Sequence, residues 1–234
     1  MNLFQQVKES LLHLVFPHVC EGCGSDAPAQ NELLCLKCIS DLPRTNFHFF
    51  YNNPIEKIFW GRLAVRQAAA IYYFTKESRM QHLMHQLKYK GNRELGIYLG
   101  NLMGKAILET GRFQQIDALV PLPLHPSKEK ARGYNQAGLL CKGISEVIKK
   151  PVMDKSVIRI SHTETQTHKS RTERWKNMEG RFTVTKTEDL KGKHILLIDD
   201  VITTGASLEA CGTSLLQVPE LELSICTLCY ASTV

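Results

Sequence analysis

No apolar run in this 234-residue sequence approaches the roughly 20 residues needed to span a bilayer. A membrane-spanning helix is therefore not expected. There is no internal repeat and no low-complexity tract, which excludes repeat arrays and compositionally driven disorder. There is also no large excess of one charge. Twenty-nine Lys and Arg stand against 23 Asp and Glu, a formal net charge of +6. That balance is compatible with a polyanionic partner, phosphorylated metabolite or nucleic acid, but does not demand one. A secretory signal is not expected, because Lys8, Glu9 and His13 interrupt the first apolar stretch and no small-residue cleavage site follows. The expected compartment is the cytoplasm, where the eight cysteines are better read as metal ligands or buried thiols than as disulfides. The length leaves room for one sizeable domain and a small appendage.

What is present is concentrated in one run, His194-Ile195-Leu196-Leu197-Ile198-Asp199-Asp200-Val201-Ile202-Thr203-Thr204-Gly205-Ala206-Ser207. Its apolar start reads as a strand buried on both faces. The pattern predicts that this strand ends at the two carboxylates, with a Thr/Gly/Ser loop and then a helix from Leu208. Ligands of open α/β sheets bind beyond the carboxyl ends of the strands. A small-residue loop entering a helix N-terminus is an anion site. Carboxylates beside it suit ribose hydroxyls or a hydrated Mg²⁺. The expected ligand is a sugar phosphate bearing a metal.

Cys20-x-x-Cys23 and Cys35-x-x-Cys38 form a second motif. Two such pairs suit a tetrahedral structural Zn²⁺. Gly24 is expected to relieve crowding around the sulfurs. A module this small needs a metal in place of a core, so binding should be coupled to folding. Cys226-x-x-Cys229 has the same spacing but lies in a strand pattern, LELSICTLCY. Strand alternation puts residues three apart on opposite faces, so these two read as buried thiols. Cys141 and Cys211 read as helix-packing residues.

Helical spacing over residues 3–16 predicts a short amphipathic helix ending at Pro17. Strands are predicted over 64–74, 117–124, 152–160, 181–184, 194–198 and 221–230. Helices are predicted over 80–87, 94–108 and 136–149. Such alternation argues for a doubly wound parallel sheet. The expected division is an N-terminal helix and four-cysteine module over 1–45, an aromatic, turn-rich connector over 46–63 that packs instead of flexing, and the main domain over 64–234. In Val120-Pro121-Leu122-Pro123-Leu124-His125-Pro126 the prolines forbid strand continuation and demand a rigid turn at the sheet's carboxyl edge. The stretch 165–177 is polar and basic.

The Asp199 run resembles the 5-phosphoribosyl-1-diphosphate (PRPP) motif of type I phosphoribosyltransferases: four apolar residues, two acids, an apolar residue, a variable one, then Thr-Thr/Gly-Gly. That resemblance implies an α/β fold, a parallel doubly wound sheet of the type I phosphoribosyltransferase kind, here with a small N-terminal zinc-ribbon-like module. It implies that Asp199 and Asp200 hold ribose hydroxyls and Mg²⁺ and that Thr203, Thr204, Gly205, Ala206 and Ser207 grip the 5-phosphate. Pro123, Leu124 and His125 would meet pyrophosphate mainly through backbone. Lys130 and Arg132 would supply cations to the departing group. The 165–177 stretch, with Lys169, Arg171, Arg174 and Lys176, would be a basic lid. Four further blocks, FPHVCEGCG, LKYKGN, KARGYNQA and QTHKSRTERWKNMEGRF, are similar in order to the ComF competence family. Where that family's pattern has its first Arg, this chain has Lys130, a point charge without the bidentate fork.

The ComF resemblance implies a role in natural transformation: handling incoming single-stranded DNA at the cytoplasmic side of the inner membrane, peripheral to it and in reach of the DNA-uptake machinery. The DNA-facing residues would be Lys128, Lys130 and Arg132 together with the four basic lid residues. Two other functions fit the same residues. One is a metabolic phosphoribosyltransferase acting on a nucleobase or amine. The other is a non-catalytic DNA-binding module that keeps the pocket for phosphate alone.

Overall fold

The computed structural model of the protein describes residues 19–26, 28, 32–160 and 182–232. In chain order its elements are α1 (Leu36–Ser40), α2 (Pro54–Phe59), β1 (Gln67–Tyr73), α3 (Arg79–Tyr89), α4 (Arg93–Leu108), β2 (Ala118–Pro121), α5 (Pro126–Arg132), α6 (Gln136–Ile148), β3 (Val157–Arg159), β4 (Phe182–Val184), α7 (Thr187–Leu190), β5 (His194–Ile202), α8 (Ala206–Leu215) and β6 (Glu222–Tyr230). The predicted helix over residues 3–16 lies outside the described residues.

Four strands form one sheet in the order β1-β6-β5-β2, and every neighbouring pair is parallel. The apolar run of β5 is central, as a strand with no polar face must be. One face buries Leu196 and Ile198 in a core with Leu99, Met103, Leu140 and Ile144 of α4 and α6. The other buries Ile195 and Leu197 with Leu208, Cys211 and Leu215 of α8. Helices on both faces make this the doubly wound arrangement that the alternating pattern predicts. Helices α4 and α6 approach closely because glycines face each other. A Cβ on Gly143 would stand 2.0 Å from the Ile97 carbonyl oxygen, and one on Gly100 would stand 2.3 Å from that of Leu140.

Three local expectations are corrected. First, β5 does not end at the acids. It runs to Ile202, because β6 continues to pair with it through Asp199↔Thr227, Val201↔Cys229 and Ile202↔Tyr230. Second, of the predicted strands over 152–160 and 181–184, only Val152 joins the parallel sheet, as an isolated parallel bridge to Leu119 of β2. Val157–Arg159 and Phe182–Val184 pair with each other antiparallel. Val157 is buried and Ile158 is 47% exposed, a one-sided pattern unsuited to a central strand. Third, Cys226 and Cys229 do not fall on opposite sides; both lie in the α4/α6 core. Alternation slips by one position in the last turns of three adjacent strands. Ile71 and Tyr72 share that core, as do Leu228 and Cys229, while Val201 packs against it and Ile202 lies in the other. Burial pushes the Cys226 thiol up to about 12 and that of Cys229 well above its ordinary value, which disfavours the thiolate that a metal needs.

The connector is packed, as its aromatic content predicts. Just before it, Thr45 N–H donates to the Ile71 carbonyl and Tyr73 N–H to that of Pro43, so residues 43–45 of the N-terminal region cover the free edge of β1. Asn53 caps α2 and donates to the carbonyls of Phe47, Phe50 and Ala68. Cys20, Leu34, Cys38 and Leu42 of the N-terminal region are continuous with the α4/α6 core.

Candidate functional site

The sheet brings two predicted segments to one edge. Pro121 pairs with Ile198, and Leu122 N–H donates to the Ile198 carbonyl at 2.8 Å. The turn Pro123–His125 therefore starts beside the strand that carries Asp199 and Asp200. Asn135 fixes its path by donating to the Leu122 carbonyl at 3.0 Å while capping α6. His125 caps α5, its Nδ1 accepting from Ser127 N–H at 3.3 Å.

Successive residues of a strand diverge, and the two acids do so. Asp200 reaches α3, where Lys88 Nζ lies 2.9 Å from its Oδ2. Asp199 lies toward α8, where its charge helps raise the Cys211 thiol. The Asp199 Oδ1 accepts the Asp200 N–H at 2.8 Å. Burial, then the neighbouring Asp200 charge, pushes the Asp199 carboxyl up to about 8. Such a raised carboxyl is what a cation or a hydroxyl donor would relieve.

Beyond Ile202 the chain turns through Thr203 and Thr204 into Gly205, the N-cap of α8. Gly205 adopts φ +75, a left-handed conformation that glycine adopts without penalty. A Cβ there would also stand 2.8 Å from Ile58 Cγ2 and 3.1 Å from Phe59 Cε1. The connector thus forms one wall of the loop. Arg62 braces it further, donating to the Thr204 carbonyl at 3.2 Å and to that of Ile58 at 3.1 Å, and pairing with Glu209 of α8. The open cleft holds about 90 Å³ and is lined by Asp199 and by Val201 through Leu208. Gly205 contributes no capping side chain to α8, and a helix start without a side-chain cap is where an anion can bind.

Of the predicted cations, Lys128 and Lys130 are exposed on α5. Arg132 is held, donating to Gln136 Oε1 at 2.8 Å with its guanidinium 5.6 Å from the centre of the Tyr89 ring. The end of α5 therefore leans on the end of α3. Lys169, Arg171, Arg174 and Lys176 lie outside the described residues. Sequence patterns did not single out Lys88 or Arg62 as site residues. Each acts across more than a hundred residues of chain, although Lys88 does lie in the LKYKGN block.

The four N-terminal cysteines converge. Their sulfurs all lie within 4.8 Å of one another, and Cys23 Sγ is 3.8 Å from Cys35 Sγ. A tetrahedral thiolate site with bonds of about 2.3 Å spaces its sulfurs about 3.8 Å apart, so the group can hold a metal. Among the described residues it is the one such group. Backbone N–H groups of Gly22 and Cys35 donate to Cys20 Sγ at 3.4 and 3.2 Å, and that of Cys38 to Cys35 Sγ at 3.5 Å. Ser25 Oγ stands 3.1 Å from Cys23 Sγ and helps lower that thiol to about 6. Arg79 donates to Cys38 Sγ at 3.0 Å and pairs with Asp41 at 3.1 Å. The glycine that relieves crowding is Gly22, whose Cβ would stand 2.9 Å from Cys38 Sγ. Gly24 has open space around it and instead supplies a left-handed turn at φ +73.

The doubly wound sheet, acid pair and phosphate-type loop define a phosphoribosyltransferase-type domain, and residues 139–233 match the family model described as phosphoribosyl transferase domain. The similarity extends well beyond that domain. The chain is 28% identical over 215 residues to DNA utilization protein YhgH of Escherichia coli K12, covering 90% of this chain and 89% of that protein. It is 29% identical over 201 residues to Competence protein F of Haemophilus influenzae, covering 84% and 83%. It is 28% identical over 208 residues to Competence protein ComFC of Bacillus subtilis, covering 89% and 75%. The resemblance to the ComF competence family thus spans nearly the whole chain.

Proposed function

We propose that this chain is a ComF-type protein that binds PRPP with Mg²⁺ and handles incoming single-stranded DNA during natural transformation. The observation that carries the proposal is the meeting, at one sheet edge, of the acid pair, the Thr203–Ser207 loop and the Pro123–His125 turn. The competence and DNA-utilization names of its relatives support the DNA role. So does the net charge of +6.

In this reading the backbone of Thr203, Thr204, Gly205, Ala206 and Ser207 grips the 5-phosphate. Asp199 and Asp200 hold the ribose hydroxyls. Backbone of Pro123, Leu124 and His125 meets the diphosphate, and Lys130 and Arg132 face the charge that develops as it departs. Asp199 and Asp200 would also hold Mg²⁺, whose charge would offset that of the diphosphate. Transfer, where it occurs, loosens the bond between ribose C1 and pyrophosphate toward an oxocarbenium-like state, with Asp199, Asp200 and Arg132 as the catalytic groups. Cys20, Cys23, Cys35 and Cys38 would hold a structural Zn²⁺ in the N-terminal module over 1–45. Residues 46–63 connect this module to the phosphoribosyltransferase-type domain over 64–234. No helix among the described residues is long and apolar enough to cross a membrane; the proposed site of action is the cytoplasmic face of the inner membrane, beside the uptake machinery.

The test is a calorimetric titration of PRPP with and without Mg²⁺, beside a single-stranded DNA titration at several salt concentrations. Saturable binding of both ligands is expected. PRPP binding without DNA binding would move the protein to the metabolic reading, and DNA binding alone to the non-catalytic one.

A further inference from the structure

Asp200 already has a cation. Lys88 Nζ lies 2.9 Å from its Oδ2, and the two side chains are only 25% and 14% exposed. A pair shielded in this way is screened far less than one on the surface. The lysine is aimed, not loosely placed. Its neighbours Leu83, Met84 and Leu87 are buried in the core of α3. Tyr134 Oη donates to the Leu87 carbonyl at 2.5 Å, which fixes the backbone one residue before Lys88. Asp200 in turn is held by strand β5, flanked by the paired positions Asp199 and Val201. Neither end of the pair is on a freely moving segment.

Mg²⁺ sheds water reluctantly and is usually held by one or two carboxylates together with ligand phosphate oxygens. An ammonium on Asp200 offsets the charge that would attract it and occupies one of the two oxygens. A diphosphate offers Lys88 a better partner, because it carries more charge and the lysine stem is flexible with three donors. We propose that Lys88 is an internal counter-ion that keeps divalent metal off Asp200 until a diphosphate-bearing ligand draws the ammonium away. The choice of diphosphate rests on the PRPP reading of the cleft; the exclusion of free metal does not. Lys88 is thus a positioning residue that makes metal and ligand enter together, and the free protein is spared from loading metal alone.

The experiment is Mn²⁺ binding to the full chain without ligand, read by electron paramagnetic resonance, in wild type, Lys88→Met, Lys88→Gln and Lys88→Met/Asp200→Asn. The expected result is at least a tenfold gain in Mn²⁺ affinity in both single variants, abolished again in the double variant. Equal affinity in wild type and the folded single variants, measurable or not, overturns the proposal. So does a gain that survives Asp200→Asn. PRPP titrations of the same proteins separate the two ideas. A gain in Mn²⁺ affinity with no PRPP binding in any protein keeps the counter-ion and sinks the ligand. Mg²⁺-dependent PRPP binding without the gain does the reverse.

Discussion

Two adjacent aspartates at a strand end carry unlike electrostatics because alternation sends them to different sides. Asp200 meets Lys88, whereas Asp199 is half-buried beside a like charge and rises to about 8. The sign of its effect on stability follows. Its folded value lies above the ordinary 3.8, so the folded protein binds more protons than the unfolded chain between those pH values. Stability contributed by this group is therefore lost as pH rises from 4 to 8. Asp199→Asn is expected to flatten that decline and to be more stable than wild type near pH 8, as read by urea unfolding across the range. A variant whose profile overlays wild type would show that Asp199 titrates normally. At this scale the acid pair and its loop were legible, because they are contiguous and their residue types are chemically specific. Lys88 and Arg62 were not legible as site residues. A lone lysine or arginine has no signature until the fold brings it to its partner.

Among elements, the central strand and the long helices could be read from apolar periodicity, and the structure adds the caps that start those helices. Ser78, Asn92 and Asn135 each accept an N–H in the first turn of α3, α4 and α6. What could not be read was where pairing would continue. β5 runs past its acids only because β6 supplies partners there. The antiparallel β3–β4 pair likewise depends on which neighbour each strand finds. The four-cysteine region is the element whose motif predicted most, through spacing alone. Metal analysis of Cys35→Ser should show about one zinc fewer per chain, since three thiolates leave the tetrahedral site open. Cys20 and Cys38 also pack into the main core. The thermal midpoint should therefore fall while a cooperative transition remains. Zinc content equal to wild type would remove these cysteines from any metal site.

At the scale of the whole molecule, the connector and the N-terminal region are built into the domain they precede. The connector walls the phosphate-type loop through Ile58, Phe59 and Arg62, and Arg79 of α3 donates to Cys38 of the four-cysteine cluster. DNA handling, by contrast, is proposed for basic residues spread over two segments. Lys128, Lys130 and Arg132 lie on α5, which follows the turn after β2, while Lys169, Arg171, Arg174 and Lys176 lie outside the described residues. A Lys169→Ala/Arg171→Ala/Arg174→Ala protein should bind single-stranded DNA more weakly across all sequences. Its salt slope should be smaller by roughly 0.7 for each phosphate the variant no longer neutralises. Unchanged affinity and slope would confine that stretch to the phosphoribosyl site and favour the metabolic reading.

The central claim is that the sheet edge around Asp199 and Asp200 is a PRPP site. Its most direct measurement is calorimetry of PRPP with Mg²⁺ on wild type and on Asp199→Asn/Asp200→Asn. Neither side chain is a core apolar group, so the variant should keep its circular dichroism spectrum. The account predicts saturable, Mg²⁺-dependent binding to wild type and none to the folded double variant. Undiminished affinity in that variant would contradict it.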